Sequence, residues 1–307
     1  MQFSDPTNTP VPEPSLLAIG NFDGVHRGHQ YLVRHVVSQS LAAGLKPVVL
    51  TFEPHPSLIL SQSPKEKLTG LKRKLELLRG ISESLDVRVE RFDSALANRT
   101  PREFVEEVLI RRHGARQVVV GANFRFGHRR AGDLETLRQL GTELGFTAQA
   151  ADLLQAAEEP ISSSRVREAL HRGDLAIATE LLGRPHTLRG VVVRGEQLGR
   201  QLGFPTANLD QVEEMLPAHG VYAVRVKLAD QSELRDAVAN IGNRPTVQGR
   251  VVTIEAHLLD FSSDLYGQEV ELQLVERVRS ERRFEDLSAL RAQIERDVAR
   301  ARELLRA

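Results

Sequence analysis

The stretch GNFDGVHRGHQ, residues 20–30, follows directly on the apolar run LLAI and decides how the first half of the chain is read. It places three glycines and two histidines in eleven positions. An apolar run, a glycine turn and a polar restart read as strand, turn and helix, and in open α/β sheets ligands sit at the carboxyl ends of strands. His26 and His29 are three residues apart, so a helix beginning near His26 puts both rings on one side of its first turn. Unpaired backbone N–H groups and the positive end of the helix dipole make that corner attractive to anions. Gly24 and Gly28, lacking Cβ atoms, let backbone approach a phosphate closely. Two imidazoles there can donate hydrogen bonds to oxygens whose charge grows during phosphoryl or nucleotidyl transfer. Taken alone, the pair also admits a structural or merely exposed role. Zinc does not suit it, because a helical zinc pair is spaced by four and no cysteine is present.

Working outward, the runs LLAIG, KPVVLTF, VRVERF, RQVVVG and TAQAADLL alternate with amphipathic stretches as far as Gly183, a pattern of βα units and a mainly parallel sheet. Thr100-Pro101-Arg102-Glu103 is a capping box with proline at the first helical position. Beyond Gly183 the strand-like runs LRGVVVRG, VYAVRVKL, LRDAVANIG, VVTIEAHLLDF and EVELQLVERV succeed one another without helices. In VYAVRVKL, Tyr222, Val224, Val226 and Leu228 share one face and Arg225 and Lys227 the other. The expected fold is therefore a doubly wound, Rossmann-like α/β domain over residues 15–183, then a small antiparallel β-barrel over 184–307. A C-terminal helix from about Phe284 carries a stripe of Leu287, Leu290, Ile294, Val298 and Leu305. Residues 1–14, rich in proline and with neither a basic flank nor an apolar core, read as a disordered lead.

The 307 residues suffice for two cores. Lys plus Arg and Asp plus Glu both number 41, so charge makes no case for nucleic acid or an acidic membrane surface. No apolar run approaches the ~18 to 20 residues needed to span a bilayer. The absence of cysteine suits a reducing compartment. A cytoplasmic protein without nucleic-acid or membrane partners is expected.

Neither G-x-G-x-x-G nor G-x-x-x-x-G-K-[ST] occurs. Instead the chain resembles the bacterial bifunctional riboflavin kinase/FAD synthetase family from about Leu16 to the C-terminal helix. The motifs that carry the resemblance are GNFDGVHRGHQ, TFEPHP (51–56), VVVGANFRFGHRRAGD (118–133) and ISSSRVREAL (161–170), then LGRQLGFPTANL (198–209), GVYAV (220–224), NIGNRPT (240–246), EAHLLDF (255–261) and DLYG (264–267).

The resemblance implies that the first domain transfers AMP from ATP to FMN, giving FAD and pyrophosphate. Gly20, Phe22, Gly24, His26 and His29 would meet the triphosphate, with the two histidines stabilising the phosphorus as it changes partners. Ser162, Ser163 and Ser164 cap a helix whose N-terminus faces phosphate, and Arg167, rather than Arg165, supplies charge for the departing pyrophosphate. An ordinary capped surface helix is the alternative. Asn123, Phe124 and Arg125 would hold the flavin nucleotide, or form a structural turn. Relatives often carry Asp where this chain has Asn123, which puts a charge-dependent role there in doubt. They usually carry Thr where Ser164 stands, which keeps the hydroxyl.

In the second domain the resemblance implies phosphorylation of riboflavin. Glu255 would take the 5′-hydroxyl proton, and Gly199, Gly203, Pro205, Thr206 and Asn208 would bind ATP. Thr206 and Asn208, two apart in an extended strand, present oxygens on one face for Mg²⁺. Arg244 either meets phosphate or pairs with a carboxylate. The implied ligands are riboflavin, FMN, FAD and two molecules of ATP. A protein with one silent domain, or a flavin-binding module without chemistry, is the rival reading, and retention of His26, His29 and Glu255 argues against the latter.

Overall fold

The computed structural model describes residues 12–151, 155–156, 159–229, 231, 233–246 and 249–306, without the side chains of 155–156 and 244–251. Most of the expected N-terminal lead, and the side chain of Arg244, lie outside the described residues. The chain divides into two compact units, one ending at Ile161 and one beginning at Ser162. The helices Ser163–Arg172 and Leu175–Leu182 fall in the second, and Gly183 ends the latter in a left-handed conformation.

The first unit is built on five parallel strands: β1 Ser15–Ile19, β2 Lys46–Glu53, β3 Asp86–Arg91, β4 Ala115–Val120 and β5 Thr147–Ala150. Their order is β3-β2-β1-β4-β5. Every residue of β1 is buried, as a strand covered on both faces requires. Leu17 and Ile19 join a core with Val105, Leu109 and Leu137, whereas Leu16 and Ala18 join a second with Val33, Val36 and Leu78. One face is thus covered by the helices Arg27–Ala43 and Leu71–Arg79, the other by Phe104–Arg112 and Leu134–Leu144.

The Thr100 capping box is present in full: Glu103 N–H donates to the threonine hydroxyl, and the Glu103 carboxylate accepts from Thr100 N–H. The helix it starts widens to π-helical turns over Phe104–Arg112. Chain order reverses between β1 and β4, so a crevice opens at the carboxyl ends of these two strands. A short antiparallel pair, β6 Gln155–Ala156 and β7 Glu159–Pro160, follows.

In the second unit six antiparallel strands close a barrel: β8 Thr187–Val193, β9 Ala207–Asp210, β10 Gly220–Leu228, β11 Leu234–Thr246, β12 Gly249–Leu258 and β13 Glu269–Ser280. Around the wall the order is β10-β11-β12-β9-β8-β13. Closure leaves no unpaired sheet edge. Tyr222, Val224, Val226 and Leu228 are buried, while Lys227 is exposed and Arg225 half-buried, as the alternation requires.

The last helix, Leu287–Arg306, packs on the outside of the wall through Ala301 and Leu305, against Val221, Ala223 and Val238. Its contact stripe departs from the expected one at both polarity extremes. Leu287, at the helix start, is 57% exposed, while Asp297 is 3% exposed. The aspartate can be buried because Arg279 on β13 grips it through Nε at 2.9 and 3.0 Å and through Nη2 at 2.8 Å.

His186 is buried at the start of the barrel, where its Nε2–H donates to the Met215 carbonyl at 2.8 Å. Burial pushes its pKa down to about 4, with Arg184 adding to the effect and the Met215 bond opposing it. The unfolded chain takes up this proton below the ordinary value of 6.5 and the folded one only near 4, so stability falls as pH drops through that window. The contribution is about 3 kcal/mol. In urea titrations between pH 7 and pH 4, His186→Gln should flatten the barrel's acid loss by roughly that amount. Equal slopes in the two proteins would mean that the folded imidazole is already charged.

Candidate functional site

The corner after β1 is shaped by side chains that turn inward so that backbone turns outward. Phe22 and Val25 are both 1% exposed, yet both hold left-handed backbone, at φ 49° and 40°, with Gly24 between them at φ 84°. Such geometry costs non-glycine residues about 1–2 kcal/mol each, and burying a phenylalanine and a valine offsets it. Asp23 locks the coil from the other side: its carboxylate accepts the N–H groups of Leu68 at 2.9 Å and Thr69 at 3.2 Å, and Thr69 Oγ1 accepts Gly24 N–H at 3.2 Å.

His26 then caps the helix Arg27–Ala43, its Nδ1 accepting the backbone N–H of His29 at 3.3 Å. Because Nδ1 accepts, the neutral ring carries its proton on Nε2. The rings of His26 and His29 stack with centroids 3.6 Å apart and planes 15° from parallel. Gly28 makes room, since a Cβ there would come within 3.2 Å of the His26 ring. His29 leans on Phe22, its ring 5.1 Å away, and its Nδ1 is buried without a hydrogen-bond partner among the described residues.

Beneath the corner lies Lys74, 3% exposed. Its ammonium donates to the carbonyls of Asn21 and Phe52, both at 3.4 Å, and to Thr51 Oγ1 at 3.5 Å, with Glu53 at 4.0 Å. Burial holds the Lys74 pKa below its ordinary value although Glu53 and Asp23 oppose the shift. Burial, the neighbouring His26 and the Lys74 charge together hold His29 well below the ordinary histidine value. His29 is thus uncharged at neutral pH, with a buried nitrogen and a helix N-terminus turned to the same corner. An anion would satisfy both.

Across the chain reversal, Gly121 follows β4 as Gly20 follows β1, and the terminal residues Ile19 and Val120 are register partners. Phe124 N–H closes a turn on the Gly121 carbonyl at 2.9 Å. Phe124 stacks on Phe126 with centroids 5.6 Å apart, while Asn123 and Arg125 are exposed. The Gly121–Phe124 bond closes the loop as a turn, and Arg125 Nη1 donates to the Phe124 carbonyl at 2.8 Å. Ser162 caps the helix Ser163–Arg172 by accepting Arg165 N–H at 3.3 Å, which places Ser163, Ser164 and Arg167 in its first turns. Ile161, the last residue of the first unit, brings its carbonyl 3.5 Å from where a Gly28 Cβ would stand.

The second unit holds a cavity of about 290 Å³ between the outer wall of the barrel and the helix Leu287–Arg306. Ile254 and Ala256 point into the barrel, so Glu255 points out into this cavity, together with Thr206 and Gly199. Strand register sets a straight row across the wall: Asn208 on β9, Glu255 on β12, Asn240 on β11, Val221 on β10 and Arg279 on β13. The row passes from Asn208, Glu255 and Asn240 to the apolar Val221 and ends on Arg279, which is clamped to Asp297, and Leu290, Ile294 and Val298 of the helix also border the cavity.

The loop over Gly195–Pro205 folds onto the polar end. A Cβ on Gly195 would reach within 2.5 Å of the Asn208 amide, and one on Gly199 would strike the Phe204 carbonyl. Gly203 is left-handed at φ 92°, and the Pro205 carbonyl accepts from His257 Nδ1 at 2.8 Å. Asp23, Lys74, Asn240 and the Arg279–Asp297 clamp were not singled out by sequence reasoning. Asn240 had a signal, because it alternates with the apolar Ala239 and Ile241 as Glu255 does with Ile254 and Ala256. Lys74, within LKRKLELL, had none.

The FAD synthetase family model matches residues 8–165 and the riboflavin kinase family model residues 182–305. The bifunctional riboflavin kinase/FMN adenylyltransferase of Escherichia coli K12 is 41% identical over 294 residues, covering 95% of this chain and 93% of that protein. The protein of the same name from Bacillus subtilis is 34% identical, covering 92% and 90%. A crystal structure described as a macrolide-efflux protein from Streptococcus pneumoniae superposes with a TM-score of 0.84 at 29% identity, covering 95% of each chain. With both family models matched in order along one chain, and full-length relatives at this identity, the chain belongs to the bifunctional riboflavin kinase/FMN adenylyltransferase family.

Proposed function

We propose that this chain performs both reactions of its family, each in its own site, with the residues above in specific roles. In the barrel unit, Glu255 takes the proton of the riboflavin 5′-hydroxyl. The oxygen attacks the γ-phosphorus of ATP, ADP leaves, and FMN is formed. The polar end of the row, with Thr206 and Asn208, receives the phosphates, and the loop carrying Gly199, Gly203 and Pro205 lies over the nucleotide. The apolar end, toward Ile294 and Val298, takes the flavin ring.

The observation that carries this reading is that Glu255, Thr206 and Gly199 border one cavity whose far side presents Val221, Leu290, Ile294 and Val298 beside the paired Arg279 and Asp297. Magnesium fits the polar end. Thr206 and Asn208 offer neutral oxygens on one face, and Mg²⁺ is commonly held by one or two protein oxygens plus substrate phosphates. When bound it would spread the negative charge of the ATP phosphates, and Thr206 and Asn208 would orient it.

In the first unit a phosphate oxygen of FMN attacks the α-phosphorus of a second ATP, and pyrophosphate leaves as FAD forms. Gly20, Phe22 and Gly24 shape the coil that receives the triphosphate. The stacked rings of His26 and His29 donate N–H groups to oxygens that gain charge at the barrier. Ser162, Ser163 and Ser164, at the capped N-terminus of the helix Ser163–Arg172, together with Arg167, are the further phosphate-binding group assigned to this reaction. Asn123, Phe124 and Arg125 border the flavin nucleotide at the end of β4. Both reactions consume ATP, and the enzyme works in the cytoplasm without nucleic-acid or membrane partners. No helix among the described residues is long and apolar enough to cross a membrane.

Chromatography of products formed from riboflavin and Mg-ATP should show FMN and then FAD. Glu255→Gln should abolish FMN formation while FAD formation from supplied FMN persists. His29→Ala should lower FAD formation by about 10² to 10³ while leaving FMN formation intact. Loss of both activities in either folded variant would refute separate sites. Because His29 stays uncharged well below its ordinary value, kcat/KM for adenylyl transfer should show no inflection between pH 6 and pH 7 from this ring. An inflection near 6.5, abolished by His29→Ala, would mean that the ring titrates like an exposed histidine.

A further inference from the structure

Asn240 is the direct cross-strand partner of Glu255, on the side away from Asn208. Both side chains border the cavity, because the residues flanking Asn240, Ala239 and Ile241, are fully buried in the barrel interior. Neighbouring strands lie about 4.8 Å apart, so a group bound at Asn240 sits roughly that far from one bound at Glu255. In an extended polyol, four single bonds separate the terminal oxygen from the oxygen two carbons along, a span of about 5 Å. The hydroxyl on the adjacent carbon is too close to match the strand spacing, and the one three carbons along is too far.

The next member of the row, Val221, offers no hydrogen bond, and the charged groups beyond it that border the cavity, Arg279 on β13 and Asp297 on the helix, are bonded to one another. A ribityl chain with its 5′-hydroxyl at Glu255 and its ring toward Val221 therefore crosses Asn240 with its 3′-hydroxyl. Asn240 offers both a carbonyl and an NH₂ group to that hydroxyl.

We infer that Asn240 is a specificity-determining residue of the kinase site, binding the 3′-hydroxyl of the ribityl chain and so setting which chain oxygen reaches Glu255. This inference rests on the reading of Glu255 as the base. It explains why a polar side chain interrupts the wall between Glu255 and Val221, where an apolar one would pack equally well against the helix. A site built to hydrogen-bond a substrate hydroxyl discriminates against an analogue lacking it, because its own polar group is then left unpaired.

The test compares riboflavin with 3′-deoxyriboflavin in the full-length protein. The wild type should prefer riboflavin by about ten-fold or more in kcat/KM, and Asn240→Ala should bring that ratio close to one by losing rate with riboflavin alone. Asn240→Ser, which keeps a shorter hydrogen-bonding group, should fall between. Equal losses on both substrates, or an unchanged ratio in both variants, would overturn the inference, since a packing role does not distinguish the two flavins. Should Asn240→Ala fold poorly, the wild-type ratio still decides: no preference for the 3′-hydroxyl refutes it. Full FMN formation by Glu255→Gln would instead overturn the reading of the base, and so locates the failure there.

Discussion

Two imidazole rings stacked 3.6 Å apart at a helix N-terminus cannot both carry charge without strong repulsion, and the first unit holds His29 well below the ordinary histidine pKa. A charged pair at that distance would repel itself and oppose the helix dipole. The His29 shift comes from burial, from the neighbouring His26 and from the Lys74 charge beneath, while His26 Nδ1 accepts from His29 N–H. The cap then has a chemical consequence. Accepting at Nδ1 leaves the neutral His26 ring with its proton on Nε2, so the bond that starts the helix also sets which nitrogen is a donor. Gly28 follows from the same stacking, since a side chain there would crowd the His26 ring.

The coil that delivers these rings depends on β1 being buried on both faces. A strand with no exposed side must leave the sheet abruptly, and the turn over Phe22, Gly24 and Val25 does so in left-handed backbone held by buried side chains. Asp23 contributes by accepting two N–H groups from the segment that leads into the helix Leu71–Arg79. That same helix carries Lys74, whose ammonium reaches back to the Asn21 carbonyl. Loop, helix and charge are thus tied at three points, and a corner tied in this way needs little reorganisation when an anion arrives.

Much of this was legible in the sequence. The glycine-punctuated run after LLAI located the corner, and period-two alternation in VYAVRVKL located a barrel strand, because both signals are local and follow from sterics and burial. The capping box at Thr100 was equally local. What stayed hidden depends on which strands become neighbours. Asn240 gains meaning only once register places it beside Glu255, and Asp297, on a helix whose stripe looked purely apolar, is buried only because Arg279 stands opposite on β13. The exposed Leu287 shows the converse: helical periodicity reports a face but not where along the helix that face meets its support.

The two units solve the same electrostatic problem with opposite means. Adenylyl transfer and phosphoryl transfer both build charge on phosphate oxygens, but only the second must deprotonate an alcohol. On the proposed roles the first unit offers imidazole donors at a helix end, and the barrel offers a carboxylate between two carboxamides. On those roles a carboxylate at the first unit's corner would repel the triphosphate that the helix dipole attracts. A neutral imidazole pair on the barrel wall would lack the acceptor strength and reach of Glu255 beside a polyol. On those roles the side chains are not interchangeable between sites, because one fold ends a strand at the N-terminus of a helix capped by His26 and the other sets side chains in a row at strand spacing.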